Sequence, residues 1–119
     1  MSQSQMQAIE IDGRRIATDN EGFLLDPGEW DRRVAEALAA RERLTLGEDH
    51  WTVVDFVRRY YEERHAVPEA RHALRELRAR LGRDKASRKY LYSLFPYGYG
   101  QQACKIAGMR KPLKLMLDV

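Results

Sequence analysis

Cys104 is the single cysteine of this 119-residue chain, and it lies fifteen residues from the C-terminus. Its neighbourhood runs Phe95-Pro96-Tyr97-Gly98-Tyr99-Gly100-Gln101-Gln102-Ala103-Cys104-Lys105-Ile106-Ala107-Gly108-Met109-Arg110-Lys111-Pro112. One thiol cannot close an internal disulfide. It is left to carry sulfur, sense oxidants, bind a partner or pack as a small apolar side chain. The spacing predicts a short last helix over about 101–107, opening near Gly100 or Gln101 and closed by Gly108. Cys104 then falls in its first turn or just after it, where the helix dipole and adjacent Lys105 favour the thiolate. The competing reading is a buried residue between Ala103 and Ile106, because cysteine is among the most buried residue types.

A second candidate surface is electrostatic. Net charge is only +3, yet residues 1–65 carry 9 basic and 14 acidic side chains, and residues 66–119 carry 12 basic and 4 acidic. The C-terminal half is therefore net +8 and the N-terminal half net −5. Arg71, Arg75, Arg78, Arg80, Arg83, Lys85, Arg88 and Lys89 are answered only by Glu76 and Asp84 within that stretch. Two helices joined by a short turn and carrying this charge have the outline of a helix-turn-helix, which suits DNA or tRNA. They equally suit an acidic protein face, or an oxyanion held near Cys104 with Lys105, Arg110 and Lys111. A solvated arginine-rich helix face is the plain alternative.

The remaining polar residues give weaker signals. His50, His65 and His72 lack metal-ligand spacing with one another or with Cys104, so no metal site is expected. Glu62-Glu63 and Asp19/Glu21 read as solvated charge, and Tyr60, Tyr61, Tyr90 and Tyr92 as core. No phosphate loop or dinucleotide fingerprint is present, so no cofactor is expected. An apolar fraction of 44% with 33% charged residues fits one soluble domain. Met1 to Ile9 is polar, and no apolar run approaches the roughly 18–20 residues of a membrane span. The expectation is a cytoplasmic protein without membrane contact.

Local signals place the elements that must position Cys104. Asp12-Gly13 between Ala8–Ile11 and Arg14–Ala17 predicts a two-residue β-hairpin. Asp26-Pro27-Gly28-Glu29 reads as a helix start, with Trp30, Val34 and Leu38 turned inward through about Arg43. Thr45-Leu46-Gly47-Glu48 repeats the capping pattern and opens a longer helix with Trp51, Val54, Val57 and Tyr61 on its apolar stripe, widened by Val53, Phe56 and Tyr60. Pro68 starts a third helix with Ala70, Ala73, Leu74, Leu77 and Leu81 inward, capped by Gly82. Arg83-Asp84-Lys85 links it to a fourth, which carries Tyr90, Leu91, Leu94 and Phe95 and ends at Pro96. Residues 1–7 read as an unstructured lead-in and 109–119 as an arm, mobile at least in part.

Several dispersed motifs carry a resemblance. Besides the Cys104 segment they are Asp19-Asn20-Glu21-Gly22-Phe23-Leu24, Trp30 with Val34-Ala35, His50-Trp51, Tyr60-Tyr61, Lys89-Tyr90-Leu91-Tyr92 and Leu94-Phe95-Pro96. In order and spacing, from about residue 8 onward, they resemble the DsrC/TusE sulfur-relay family, the gamma-subunit-like proteins of dissimilatory sulfite reductase. The resemblance implies a mainly α fold: a small N-terminal hairpin on an orthogonal helical bundle, a helix-turn-helix-like pair and a C-terminal arm. It also implies an arm whose next-to-last residue is a cysteine that takes up sulfur. DsrC-type members have a second cysteine upstream, separated from the first as Cys104 is from Leu115.

Counted from Pro112, Cys104 therefore matches the upstream cysteine, and the terminal carrier position holds Leu115. Leucine offers no nucleophile, so the family's arm chemistry cannot run here as the resemblance implies. Leu113, Leu115, Met116 and Leu117 make the arm apolar instead, and eleven residues beyond Cys104 span about 35–40 Å at full stretch. Such an arm docks either on its own bundle or in a partner's groove. The leading expectation is a sulfur-relay protein without independent turnover, a partner of sulfite reductase or of sulfurtransferase and tRNA-thiolation machinery. In it Cys104 is the only possible sulfur-bearing thiol. The rivals are a sulfur- or redox-responsive regulator that binds nucleic acid through the 71–89 helices, and an interaction module with an inert Cys104.

Overall fold

A computed structural model describes residues 7–112 of the chain. The hairpin forms as the turn signal requires: β1 (Gln7–Ile11) pairs antiparallel with β2 (Arg14–Thr18), Ile9 opposite Ile16 and Ile11 opposite Arg14. Asp12 and Gly13 both take positive φ, at 50° and 80°, the twist a two-residue turn needs to match the strands. Alternation puts Ile9, Ile11 and Ile16 into the core. Arg33 grips the turn from below, donating from Nε and Nη2 to the Asp12 carboxylate at 3.1 Å each. β1 begins at Gln7, one residue inside the stretch expected to be unstructured.

Two helix starts differ from their sequence signals. Asp26-Pro27-Gly28-Glu29 folds as a single 3-10 turn over Pro27–Glu29, with the Asp26 carboxylate accepting from the Gly28 N–H at 2.9 Å. The chain then extends through Trp30, and α1 (Arg32–Arg41) is capped afresh by Asp31, which accepts from the Val34 N–H. In α2 (Glu48–Arg64) the cap is Gly47 and not Thr45; the Nδ1 of His50 reaches back to accept from the Gly47 N–H at 3.0 Å. α3 (Ala70–Leu81) begins the same way, His72 Nδ1 accepting from the Glu69 N–H at 3.0 Å. Gly82 ends α3 at φ 96°, and a 3-10 turn over Arg83–Lys85 leads to α4 (Arg88–Leu94), capped by Ser87.

The core is one cluster. Leu24, Val34, Ala35 and Leu38 meet Val53, Val54 and Val57 of α2, Ala70, Ala73 and Leu77 of α3, Leu91 of α4 and Phe95 just after it. The Nε2 of His50 sits 3.0 Å from the Leu94 carbonyl oxygen, and because Nδ1 already accepts a backbone N–H, Nε2 carries the proton and donates. That ring also packs edge-on against Phe95 at 5.3 Å, joining the start of α2 to the end of α4. Asp49 strengthens the same joint, accepting from the Tyr90 hydroxyl and from Lys85 Nζ. No helix among the described residues is long and apolar enough to cross a membrane.

The last element is a wide, π-helical turn over Tyr99–Ala103, in which the Cys104 N–H donates to the Tyr99 carbonyl. It runs directly into one α-helical turn, α5 (Cys104–Ile106). Gly108, at φ 81°, closes this segment in a Schellman arrangement: its N–H donates to the Lys105 carbonyl at 2.9 Å and the Met109 N–H to Cys104 at 3.1 Å. Met109, expected as the first residue of the arm, is fully buried and belongs to the packed body. Leu113, Leu115, Met116 and Leu117 lie outside the described residues, as does the lead-in 1–6.

A β-carbon on Gly108 would lie 2.4 Å from Cδ1 of Trp30. Gly108→Ala is therefore expected to cost roughly 2–4 kcal/mol, from left-handed strain plus overpacking. Gly13→Ala, at the similar φ of 80° but in open space, is expected to lose only the backbone part. Urea unfolding of both variants measures the difference. The Tyr90 and Lys85 hydrogen bonds hold the Asp49 carboxyl below its usual 3.8. A depressed acid stabilises the fold above its unfolded value and loses that contribution as pH falls through the folded one. Asp49→Asn is thus expected to lower the urea midpoint at neutral pH, with the gap to wild type closing on acidification below 3.8.

Candidate functional site

Cys104 sits at the junction of the π-helical turn and α5, with none of its surface exposed. The π-helical turn begins at Tyr99, five residues before Cys104, whose N–H is already spent on the Tyr99 carbonyl. Cys104 thus falls just after the first turn, one of the two placements the expected helix start at Gly100 or Gln101 allowed, with its own N–H already paired. Ala103, Ile106, Ala107 and Met109 around it are also fully buried. A donor outside the protein reaches this sulfur only if the packing around it opens.

Lys105 does not point its charge at the thiol's surroundings as a loose ammonium. Its Nζ donates to the Glu42 carboxylate at 2.7 Å and lies 5.1 Å from the Phe23 ring centre. The other Glu42 oxygen accepts from Gln102 Nε2 at 2.8 Å, and Gln102 Oε1 accepts from the Tyr97 N–H at 3.0 Å. One carboxylate at the end of α1 thereby fixes both polar side chains flanking Ala103-Cys104. Both members of the ion pair are largely removed from solvent, with side chains 11% and 16% exposed. Tyr99 secures the other side, its hydroxyl donating to the Pro68 carbonyl at 2.7 Å.

At the far end, Trp30 Nε1 donates to the Ile106 carbonyl at 2.8 Å, and Arg58 Nη1 donates to the Ala107 carbonyl at 3.2 Å. With the Gly108 and Met109 N–H groups on Lys105 and Cys104, all four terminal carbonyls of the segment are satisfied. Arg58 also donates to the Pro27 carbonyl at 3.2 Å and stacks over the Trp30 ring at 4.6 Å. Neither Glu42 nor Arg58 was picked out from sequence as part of the site. Arg58 had a signal: it stands among Val54, Val57 and Tyr61 on the buried stripe of α2, where a charge needs a reason. Glu42 had none, since its partners lie sixty residues away.

The other candidate residues do not join this cluster. Arg110 is exposed, and Lys111 Nζ pairs with Glu21 at 2.8 Å beside the loop ordered by Asp19, whose carboxylate accepts from the Glu21 and Phe23 N–H groups. So Asp19 and Glu21 have structural partners and are more than solvated charge. Arg71, Arg75 and Arg78 are exposed on α3, Arg83 on the following turn and Arg88 at the start of α4. The strip is partly neutralised: Arg71 pairs with Glu69 at 2.6 Å, Arg80 with Glu76 at 2.9 Å and Lys85 with Asp49 at 3.1 Å. Tyr60 is half-buried and lines a cleft of about 460 Å³ with Phe56, His72 and Arg75. Burial there, with Arg71 nearby, pushes His72 below its usual 6.5. Among the described residues no group of three or more possible metal ligands gathers.

The geometry defines a class first: a small helical protein with an N-terminal hairpin, whose one thiol is packed in the last helical segment of the described residues. The family model described as "DsrC like protein" matches residues 10–116, and the chain belongs to that family. It is 43% identical to sulfurtransferase TusE of Pectobacterium atrosepticum over 106 residues, 89% of this chain and 97% of that one. With sulfurtransferase TusE of Photorhabdus laumondii it shares 38% over 109 residues, 92% and 98% of the two chains. Among solved structures, Allochromatium vinosum DsrC superposes with a TM-score of 0.82 at 42% identity, covering 92% of this chain and 98% of that one. The oxidized gamma-subunit of dissimilatory sulfite reductase from Archaeoglobus fulgidus gives 0.85 at 33%, covering 92% and 99%. The expected mainly α fold with its hairpin is the observed one.

Glu42→Gln keeps an acceptor for Gln102 and removes the charge that faces Lys105. It is expected to destabilise the protein by about 2–3 kcal/mol, since it strands a nearly buried ammonium. Lys105→Met in the Glu42→Gln background is expected to recover part of that loss. A double-mutant cycle by chemical denaturation reads both.

Proposed function

We propose that this protein is a sulfur-relay component whose one sulfur-bearing atom is Cys104 Sγ, working with sulfurtransferase or sulfite-reductase partners. The observation that carries the reading is near-complete coverage of TusE sulfurtransferases at about 42% identity on the DsrC fold. The chain departs from the arm chemistry its resemblance implies, because Leu115 stands at the carrier position. Any covalent step on this chain therefore falls to Cys104.

That step is a transpersulfidation. The Cys104 thiolate attacks the outer sulfur of a donor persulfide, a new sulfur–sulfur bond forms on Cys104, and the donor leaves as a thiolate. The proton lost by Cys104 goes to solvent or to the departing thiolate, and nothing is oxidised or reduced overall. The basic surface of α3 and α4 supports recognition of an acidic partner face.

Incubation with a persulfide donor or a charged sulfurtransferase, followed by intact mass spectrometry, tests the assignment. The expected product is heavier by one sulfur atom, reverts with a thiol reductant and is absent in Cys104→Ala. If no donor produces that adduct while the protein still binds its partner, the chain is a docking subunit and not a carrier.

A further inference from the structure

The segment that carries Cys104 is short and is held by contacts from elsewhere in the fold. Residues 99–106 make barely two helical turns, and they open on π-helical geometry, which is seldom used beyond a single turn. A helix of this length has almost no stability of its own in water. Its position is set by the Trp30 and Arg58 bonds to the Ile106 and Ala107 carbonyls, and by the Glu42 bonds to Gln102 and Lys105. The Tyr99 hydroxyl bond to Pro68 adds one more. These clamps come from α1, α2 and the loops beside them, which pack in the same core as the segment.

Arg58 is not fully satisfied in this arrangement. Its Nε is buried without a hydrogen-bond partner among the described residues, while Nη1 is shared between the Pro27 and Ala107 carbonyls. An unmet buried donor makes the closed arrangement less stable than a complete network. Release of the segment returns that donor, Lys105 and the Glu42 carboxylate to water together. Segments of this kind open as units well below the free energy of global unfolding.

We propose that residues 99–109 form a gate, closed by the Trp30–Arg58 clamp at one end and the Glu42 clamp at the other, that controls chemical access to Cys104. The inference rests on the carrier reading for its biological use, because a gate matters only if the thiol is used. The gate itself is measured independently of sulfur transfer.

The experiment is alkylation of Cys104 by excess iodoacetamide in the intact native chain, followed by mass across a urea series. Labelling is expected to proceed by an opening with weak urea dependence at low denaturant, merging with global unfolding only at high denaturant. Trp30→Phe, which keeps an aromatic ring and loses the N–H, is expected to speed low-urea labelling about five- to tenfold, and Glu42→Gln, which strands Lys105 only in the closed arrangement, about thirty- to a hundredfold. Ile9→Val in the hairpin lowers global stability and is expected to leave low-urea labelling unchanged. If Ile9→Val accelerates labelling as much as the clamp variants, Cys104 is reached only by global unfolding and the gate is wrong. Labelling at the rate of an unstructured thiol in all four proteins overturns it equally. A confirmed gate with no sulfur adduct sinks the carrier reading and leaves the gate standing.

Discussion

The indole N–H of Trp30 reaching the Ile106 carbonyl is the contact on which the placement of the terminal segment depends. It spans seventy-six residues of sequence and joins the loop before α1 to the last turn of the chain's body. The bond brings the Trp30 side chain close against the backbone at residue 108, and only glycine leaves room for that. Arg58 then stacks on the outer face of the same ring and takes up the next carbonyl. One aromatic side chain thus serves as wall, donor and platform. The segment that bears Cys104 has too few residues to hold itself, so its location is inherited from this joint.

Polar groups dominate this joint because the segment is mostly backbone ends. A helix exposes four unsatisfied carbonyls at its C-terminus, and here the terminus is packed against the body and not left in water. Two carbonyls are met locally through Gly108 and Met109, and two must be met by side chains from other elements. Tryptophan and arginine are suited to this: each presents N–H donors at the tip of a body large enough to exclude water. The Glu42 carboxylate solves the matching problem at the other side, where Lys105 and Gln102 would otherwise be polar groups under cover.

What the sequence made legible follows the range of each interaction. Asp12-Gly13 sets its hairpin through φ angles of two adjacent residues, and it formed as read. Gly82 acts within one turn of itself and also sits where the pattern puts it. Asp26-Pro27 misled because the same capping chemistry starts a 3-10 turn, and nothing local says whether an α-helix follows. Thr45 misled for another reason: the reach-back group is the imidazole of His50, which a rule built on glutamate and glutamine does not anticipate. At Cys104 the apolar neighbours Ala103 and Ile106 suggested burial while Lys105 suggested activation. Packing decided for burial, and it did so through Glu42, which claims the lysine from sixty-three residues away.

The contact between Gly108 and Trp30 also constrains how this chain can drift. A side chain at 108 is tolerable only after residue 30 has shrunk, and a smaller residue at 30 strands the Ile106 carbonyl unless a new donor is already present. Neither change is neutral as a first step. The two positions, separated by most of the chain, therefore behave in any lineage as a single site with two letters, replaced together or kept together.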